Sequence, residues 1–128
     1  MARFFLAAGS LAGALAVAMA AIAAHALPPG LDAVGLQAVR SAVQIQGWHA
    51  LAVLAVGLWL LHTRKPAARL AAIAGTGFLL GTLFFSGAIY AHHLAALPTN
   101  GLAPIGGITL ILSWLVLAAS AMFAPSAR

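Results

Sequence analysis

Residues 4–24 read FFLAAGSLAGALAVAMAAIAA, a run without a single charge. A helix needs about 20 apolar residues to cross a hydrocarbon core of roughly 30 Å, so this run is long enough to span a bilayer. Lipid offers the backbone no hydrogen-bond partner, which restricts spanning structures to helices and closed barrels. A barrel would show alternating segments of about ten residues between turns, and the run does not alternate. It predicts a helix. Working outward, the same length criterion finds three more, giving spans at about residues 4–26, 43–62, 69–93 and 103–124. The expected fold class is all-α: a four-transmembrane-helix bundle occupying residues 1–128 as one integral membrane domain.

Composition agrees. Of 128 residues, 64% are hydrophobic and 5% charged, whereas a soluble domain carries about 25% charged residues. Seven charged side chains cannot cover a water-facing surface, so the solvent is lipid. The net charge of +5 would suggest nucleic acid in a soluble protein. No basic run here interleaves with aromatics, so nucleic acid is not an expected partner; the lipid bilayer is. The absence of cysteine excludes disulfides and thiolate chemistry. Arg3 ahead of the first span and Ala24-His25-Ala26 behind it resemble a signal peptide, but signal h-regions run only about 7–15 residues. The segment is expected to remain as a span.

The connections differ in charge. His62-Thr63-Arg64-Lys65-Pro66-Ala67-Ala68-Arg69 joins the second and third spans and holds three of the six basic residues. Arg3 and Arg128 share its side in a four-span topology, leaving only Arg40 on the other. Positive residues near span ends favour the cytoplasm, so both termini are expected there (N-in, C-in) in the cytoplasmic, or inner, membrane. On the other side, Pro28-Pro29-Gly30 breaks the first helix. Leu36, Val39 and Val43 then share one helical face and Gln37, Arg40 and Gln44 another, which predicts a short amphipathic interfacial helix before the second span. Pro98-Thr99-Asn100-Gly101 reads as a turn, with Pro104 tolerated in the first turn of the last helix.

Small residues set the expected packing. Gly9 and Gly13 form a GxxxG pair in the first span, continued by Ala16 and Ala20, and Gly77 and Gly81 form another in the third. Such rows let backbones approach where lipid removes any hydrophobic drive between helices. Gly75-Thr76-Gly77 follows no strand and is not a nucleotide loop.

Five histidines are the groups with chemical scope. His62 falls in the basic loop; His25, His92 and His93 fall at the opposite ends of the first and third spans. His49 lies inside the second span, with Gln46 on the same face, and an ionisable residue at that depth should face the bundle interior with a partner. Ser86, Tyr90 and His93 line one stripe of the third span. His25, Gln46, His49, Ser86 and Tyr90 are therefore expected to form a polar cluster, with a neutral His49 bonded to His25 or Tyr90. Three readings compete for it: a hydrogen-bonded plug, a metal site drawn from His25, His49 and His92 or His93, and a proton or solute path. The single acid, Asp32, lies outside the spans, so the intramembrane carboxylate of a proton-coupled exporter is missing. No nucleophile, base and orienter can be assembled.

Four runs together resemble a known family: Ala23-Ala24-His25-Ala26-Leu27, Gln46-Gly47-Trp48-His49-Ala50-Leu51, Phe85-Ser86-Gly87-Ala88-Ile89-Tyr90 and Ala103-Pro104-Ile105-Gly106-Gly107. They are similar to the G-A-F-G-A-H-A-L, Y-Q-x-x-H-A-L, L-F-S-G-S-L-Y and T-P-I-G-G patterns of the membrane family called domain of unknown function 423. Here the family's first glycines are alanines, its tyrosine before the glutamine is Ile45, and its threonine before Pro-Ile-Gly-Gly is Ala103. The resemblance implies a small four-span inner-membrane protein and implies no reaction or cofactor. The functional expectation is a non-enzymatic accessory or scaffold subunit whose partners are other membrane helices or a second copy. The competing expectation is a small transport, permeation or metal-handling protein using the histidines.

Overall fold

A computed structural model describes residues 1–124; Arg128, counted above with the basic residues, lies outside them. Among the described residues there are four helices and no strand: α1 (Ala2–His25), α2 (Ala33–His62), α3 (Ala67–Ala95) and α4 (Leu102–Met122). Each is long and apolar enough to cross a membrane. We call the end holding Arg3, Arg64, Lys65 and Arg69 the basic end, and the opposite one the far end.

The helix boundaries follow from local chemistry. Beyond His25, Ala26 still donates its N–H to Ile22, but the prolines that follow cannot continue the ladder. Asp32 starts α2 as its N-cap, its carboxylate accepting from the Gly35 N–H at 2.7 Å. Such a cap contributes about 0.5–2 kcal/mol. α3 ends on Ala96 in the left-handed region (φ 51°), with the Leu97 N–H donating to the Ala91 carbonyl at 3.0 Å. Gly101 (φ 79°) caps α4. Pro104 occupies the first turn of α4, where an N–H has no intrahelical partner to lose.

The amphipathic stretch before the second span is helical, but it is not a separate interfacial helix. It forms the first three turns of α2, which runs unbroken for 30 residues, about 45 Å at 1.5 Å per residue. No proline interrupts it, and its apolar side has a better place than the lipid surface. Val39 and Ala42 are fully buried, while Gln37, Arg40 and Gln44 stay exposed. α3, with 29 residues, matches this length. The two helices therefore extend together past a hydrocarbon layer of roughly 30 Å, and their far ends meet where Gly35 lies against His93.

The helices pack in chain order, α1 on α2, α2 on α3 and α3 on α4. In their most apolar stretches, 39% of α2 and α3 is buried against 17% of α1 and α4, which makes the first and last helices the flanks. The core is small-residue and aromatic: Phe5, Val53, Val56, Ala71, Ala74, Phe78 and Leu110.

Both GxxxG rows face a neighbour. A Cβ on Gly9 would lie 2.9 Å from the Leu54 backbone nitrogen of α2, whereas one on Gly13 would make only ordinary contact, 3.9 Å from the Ala50 Cβ. On α3, a Cβ on Gly81 would lie 2.7 Å from Leu110, and one on Gly77 would collide with the Ser113 hydroxyl. The tightest approach to another backbone lies outside both rows: Gly106 of α4 sits directly on the Phe85 backbone, with the Gly81 carbonyl 2.7 Å from its notional Cβ.

Candidate functional site

The polar side chains in the middle of the bundle form two links, both leaving from α2. The first runs from α3 through α2 to α1. Tyr90 donates its hydroxyl to Gln46 Oε1 at 2.9 Å, and Gln46 Nε2 donates to the Ala12 carbonyl at 3.1 Å. Long side chains on a helix lean toward its N-terminus. Tyr90 therefore leans toward the basic end and Gln46 toward the far end, and the two meet although their backbones sit at different depths. One turn away on the same stripe, Ser86 donates to the Ala42 carbonyl at 2.8 Å. The stripe of Ser86, Tyr90 and His93 thus faces α2 along its whole length.

The second link runs from α2 to α4 and centres on His49, buried at 6% exposure. Its Nδ1 lies 2.7 Å from the Ile45 carbonyl, and its Nε2 lies 3.1 Å from Trp114 Nε1. A carbonyl can only accept and an indole N–H can only donate. Nδ1 therefore carries the proton and Nε2 the lone pair: the ring is neutral and its tautomer is fixed. Phe78 of α3 completes an aromatic group, with its ring 5.5 Å from His49 and 4.9 Å from Trp114.

The partner of His49 is thus neither His25 nor Tyr90. Tyr90 is taken by Gln46, and His25 is exposed at the end of α1. Trp114 is not legible as this partner from an apolar span, because its ring is hydrophobic, although its N–H needs a partner inside a membrane. A third link, also missed, lies at the basic end, where Trp59 of α2 donates to Ser120 at 3.3 Å and Ser120 donates to the Ala67 carbonyl of α3 at 2.9 Å.

His25, His49 and His93 are not brought together. Among the described residues no group of three His, Cys, Asp or Glu side chains is placed to hold a metal ion. The His49 lone pair, the one a metal would need, is already engaged by the indole. His92 and His93 stack edge to face at 4.8 Å at the far end, and His62 bonds back to the Leu58 carbonyl of its own helix.

A cleft of about 330 Å³ opens between α1 and α3, with Gln46 at its floor and Thr82, Ser86 and Tyr90 along one wall. Most hydroxyls in the spans bond to a carbonyl. Thr82 Oγ1 is the one buried side-chain N or O atom without a partner among the described residues.

Residues 19–107 match the model of the family described as protein of unknown function DUF423. The chain belongs to this family. Relatives of this DUF423 chain include a UPF0382 membrane protein of Haemophilus influenzae, 37% identical over 112 residues covering 85% of this chain and 86% of that protein. A UPF0382 membrane protein of Staphylococcus saprophyticus is 33% identical, covering 90% and 93%. The UPF0382 inner membrane protein YgdD of Escherichia coli K12 is 30% identical, covering 94% and 90%. No solved structure gives a significant match. The DUF423 match includes Gln46, His49, Ser86 and Tyr90, the residues that tie α2 to its neighbours, and stops before Trp114 and Ser120.

Proposed function

We infer that this DUF423 protein is a non-enzymatic accessory or scaffold protein of the inner membrane, with both termini cytoplasmic and other membrane helices as its partners. The observation that carries the reading is where the polar groups go. Gln46, His49, Ser86, Tyr90, Trp114 and Ser120 each bridge one helix to another. They work as fasteners. A permeation path would need titratable or hydrated groups in succession across the membrane, and His49, the one ionisable imidazole deep in the bundle, has both ring nitrogens engaged by its neighbours. The flanking helices α1 and α4 keep most of their apolar surface outside the bundle, where a partner helix would lie. The cytoplasmic placement rests on the basic residues gathered at one end.

Reporter fusions at residues 66 and 128 should both report cytoplasm; a periplasmic signal at either overturns the orientation. The tagged protein, extracted in mild detergent at native expression level, should hold a membrane partner in fixed stoichiometry. Ala14→Trp, on the exposed face of α1, should release it. A solitary protein that carries solute flux in proteoliposomes, with the flux abolished by His49→Leu, would replace the scaffold reading with permeation.

A further inference from the structure

A groove of about 800 Å³ lies at the basic end between the start of α1 and the outer side of α3. That is at the large end of the range for ligand clefts, roughly 300–1,000 Å³. Its walls are apolar, with Leu60, Ala72, Ile73 and Leu80 among them, and Lys65 and Arg69 stand at its mouth. From Arg69 to Leu80 the groove follows α3 for about 16 Å at 1.5 Å per residue. That is about half of a roughly 30 Å hydrocarbon core, the depth of one leaflet. The chain's single acidic side chain, Asp32, caps α2 at the far end, so no carboxylate side chain competes for these cations. A slot one leaflet deep, apolar along its length and doubly cationic at its rim, has the shape and charge of an anionic two-tailed amphiphile.

We propose that this groove holds an anionic phospholipid, its phosphate between Lys65 and Arg69 and an acyl chain along Ile73 and Leu80. Zwitterionic lipids satisfy the apolar wall equally well, so selectivity comes from the two cations. The site is independent of the scaffold reading and of which compartment the basic end faces.

Native mass spectrometry of the detergent-solubilised full chain tests it, titrating dioleoylphosphatidylglycerol against dioleoylphosphatidylcholine. The anionic lipid should bind in preference. Each cation near an anionic lipid contributes a factor of roughly five. Lys65→Ala or Arg69→Ala should therefore cut the preference about five-fold and the double variant about twenty- to thirty-fold. Arg40→Ala, at the other end of the bundle, should leave it unchanged. Ile73→Trp, and more mildly Ile73→Phe, should lower occupancy by both lipids while keeping their ratio; Ile73 is exposed, so neither change burdens the fold. Equal binding of the two lipids overturns the proposal. So does an equal effect of Arg40→Ala, which means diffuse attraction, or full occupancy in both Ile73 variants, which places the lipid elsewhere. Displacement of the phosphatidylglycerol by inorganic phosphate alone would leave an anion site without an acyl groove. A dimer that dissociates in Ile73→Trp would assign the groove to a second copy.

Discussion

The bond between His49 and Trp114 joins two helices that otherwise share little packing, and its strength can be isolated. His49→Phe keeps a ring against Phe78 but removes the acceptor, leaving the indole N–H unpaired. Trp114→Phe keeps a ring and removes the donor, leaving Nε2 unpaired. In water-based folding, orphaning a buried partner costs about 1–3 kcal/mol. Double-mutant cycles between membrane helices average only about 0.6 kcal/mol and reach about 1.7, because the unfolded chain in lipid also finds partners. The membrane scale governs here. Within it, two features place this pair in the upper half. His49 is 6% exposed, so nothing replaces a lost donor. Trp114 lies about 18 Å along α4 from Leu102, well below the interfacial belt where tryptophan meets water. A coupling of about 1–1.7 kcal/mol is expected from reversible unfolding of the single and double variants in mixed micelles. Nitrogen NMR of labelled His49 in bilayers should show a protonated Nδ1 and a bare Nε2. Zero coupling, or a proton on Nε2, would refute the assignment.

Four further outcomes follow from the geometry. Gly13→Ala should stabilise the protein by about 0.5–1 kcal/mol, since alanine favours helix and its methyl finds ordinary contact. Gly9→Ala should destabilise it by about 1–3 kcal/mol, because backbone blocks the methyl; thermal denaturation in detergent separates the pair, and equal effects would show that α1 does not face α2 as described. Ala96→Gly should raise stability by about 1 kcal/mol by relieving a left-handed alanine, read from the same melts. Tyr90→Phe should cost up to about 1.7 kcal/mol by stranding Gln46 Oε1, and adding Gln46→Leu should recover part of the loss in the unfolding assay.

The fold was legible because lipid leaves the chain so few options. Uncharged runs of sufficient length had to be helices, and prolines 28 and 29 and the Pro98–Gly101 turn had to lie between them. Depth was legible too, since position along a helix converts directly to distance: His49 and Gln46 were expected inside the bundle and are buried there. Rotation about the helix axis was not. Nothing in an apolar span says which of three neighbours a side chain faces, so Tyr90 could be placed in the interior without revealing that it would take Gln46 and leave His49 to α4. The expected interfacial helix is instead the start of α2 for a related reason. An amphipathic pattern marks a face that seeks cover, and here the far end of α3 supplies the cover. Asp32 three residues before Gly35 was a readable N-cap. Gly106 within Pro-Ile-Gly-Gly carries the family resemblance and also, as a glycine inside a span, makes a place for another backbone.

Because every helix rests on the one before it in the chain, the bundle can be assembled in the order of its synthesis. α1 offers its glycine row to α2 as α2 enters the membrane, and α3 then offers its own to α4. No early helix has to wait, unpartnered, for a distant one. Among the described residues, the hydrogen bonds that skip a helix are those of the Trp59 and Trp114 indoles, which tie α2 to α4. They are the last bonds that insertion can close, and they convert a chain of neighbours into a bundle.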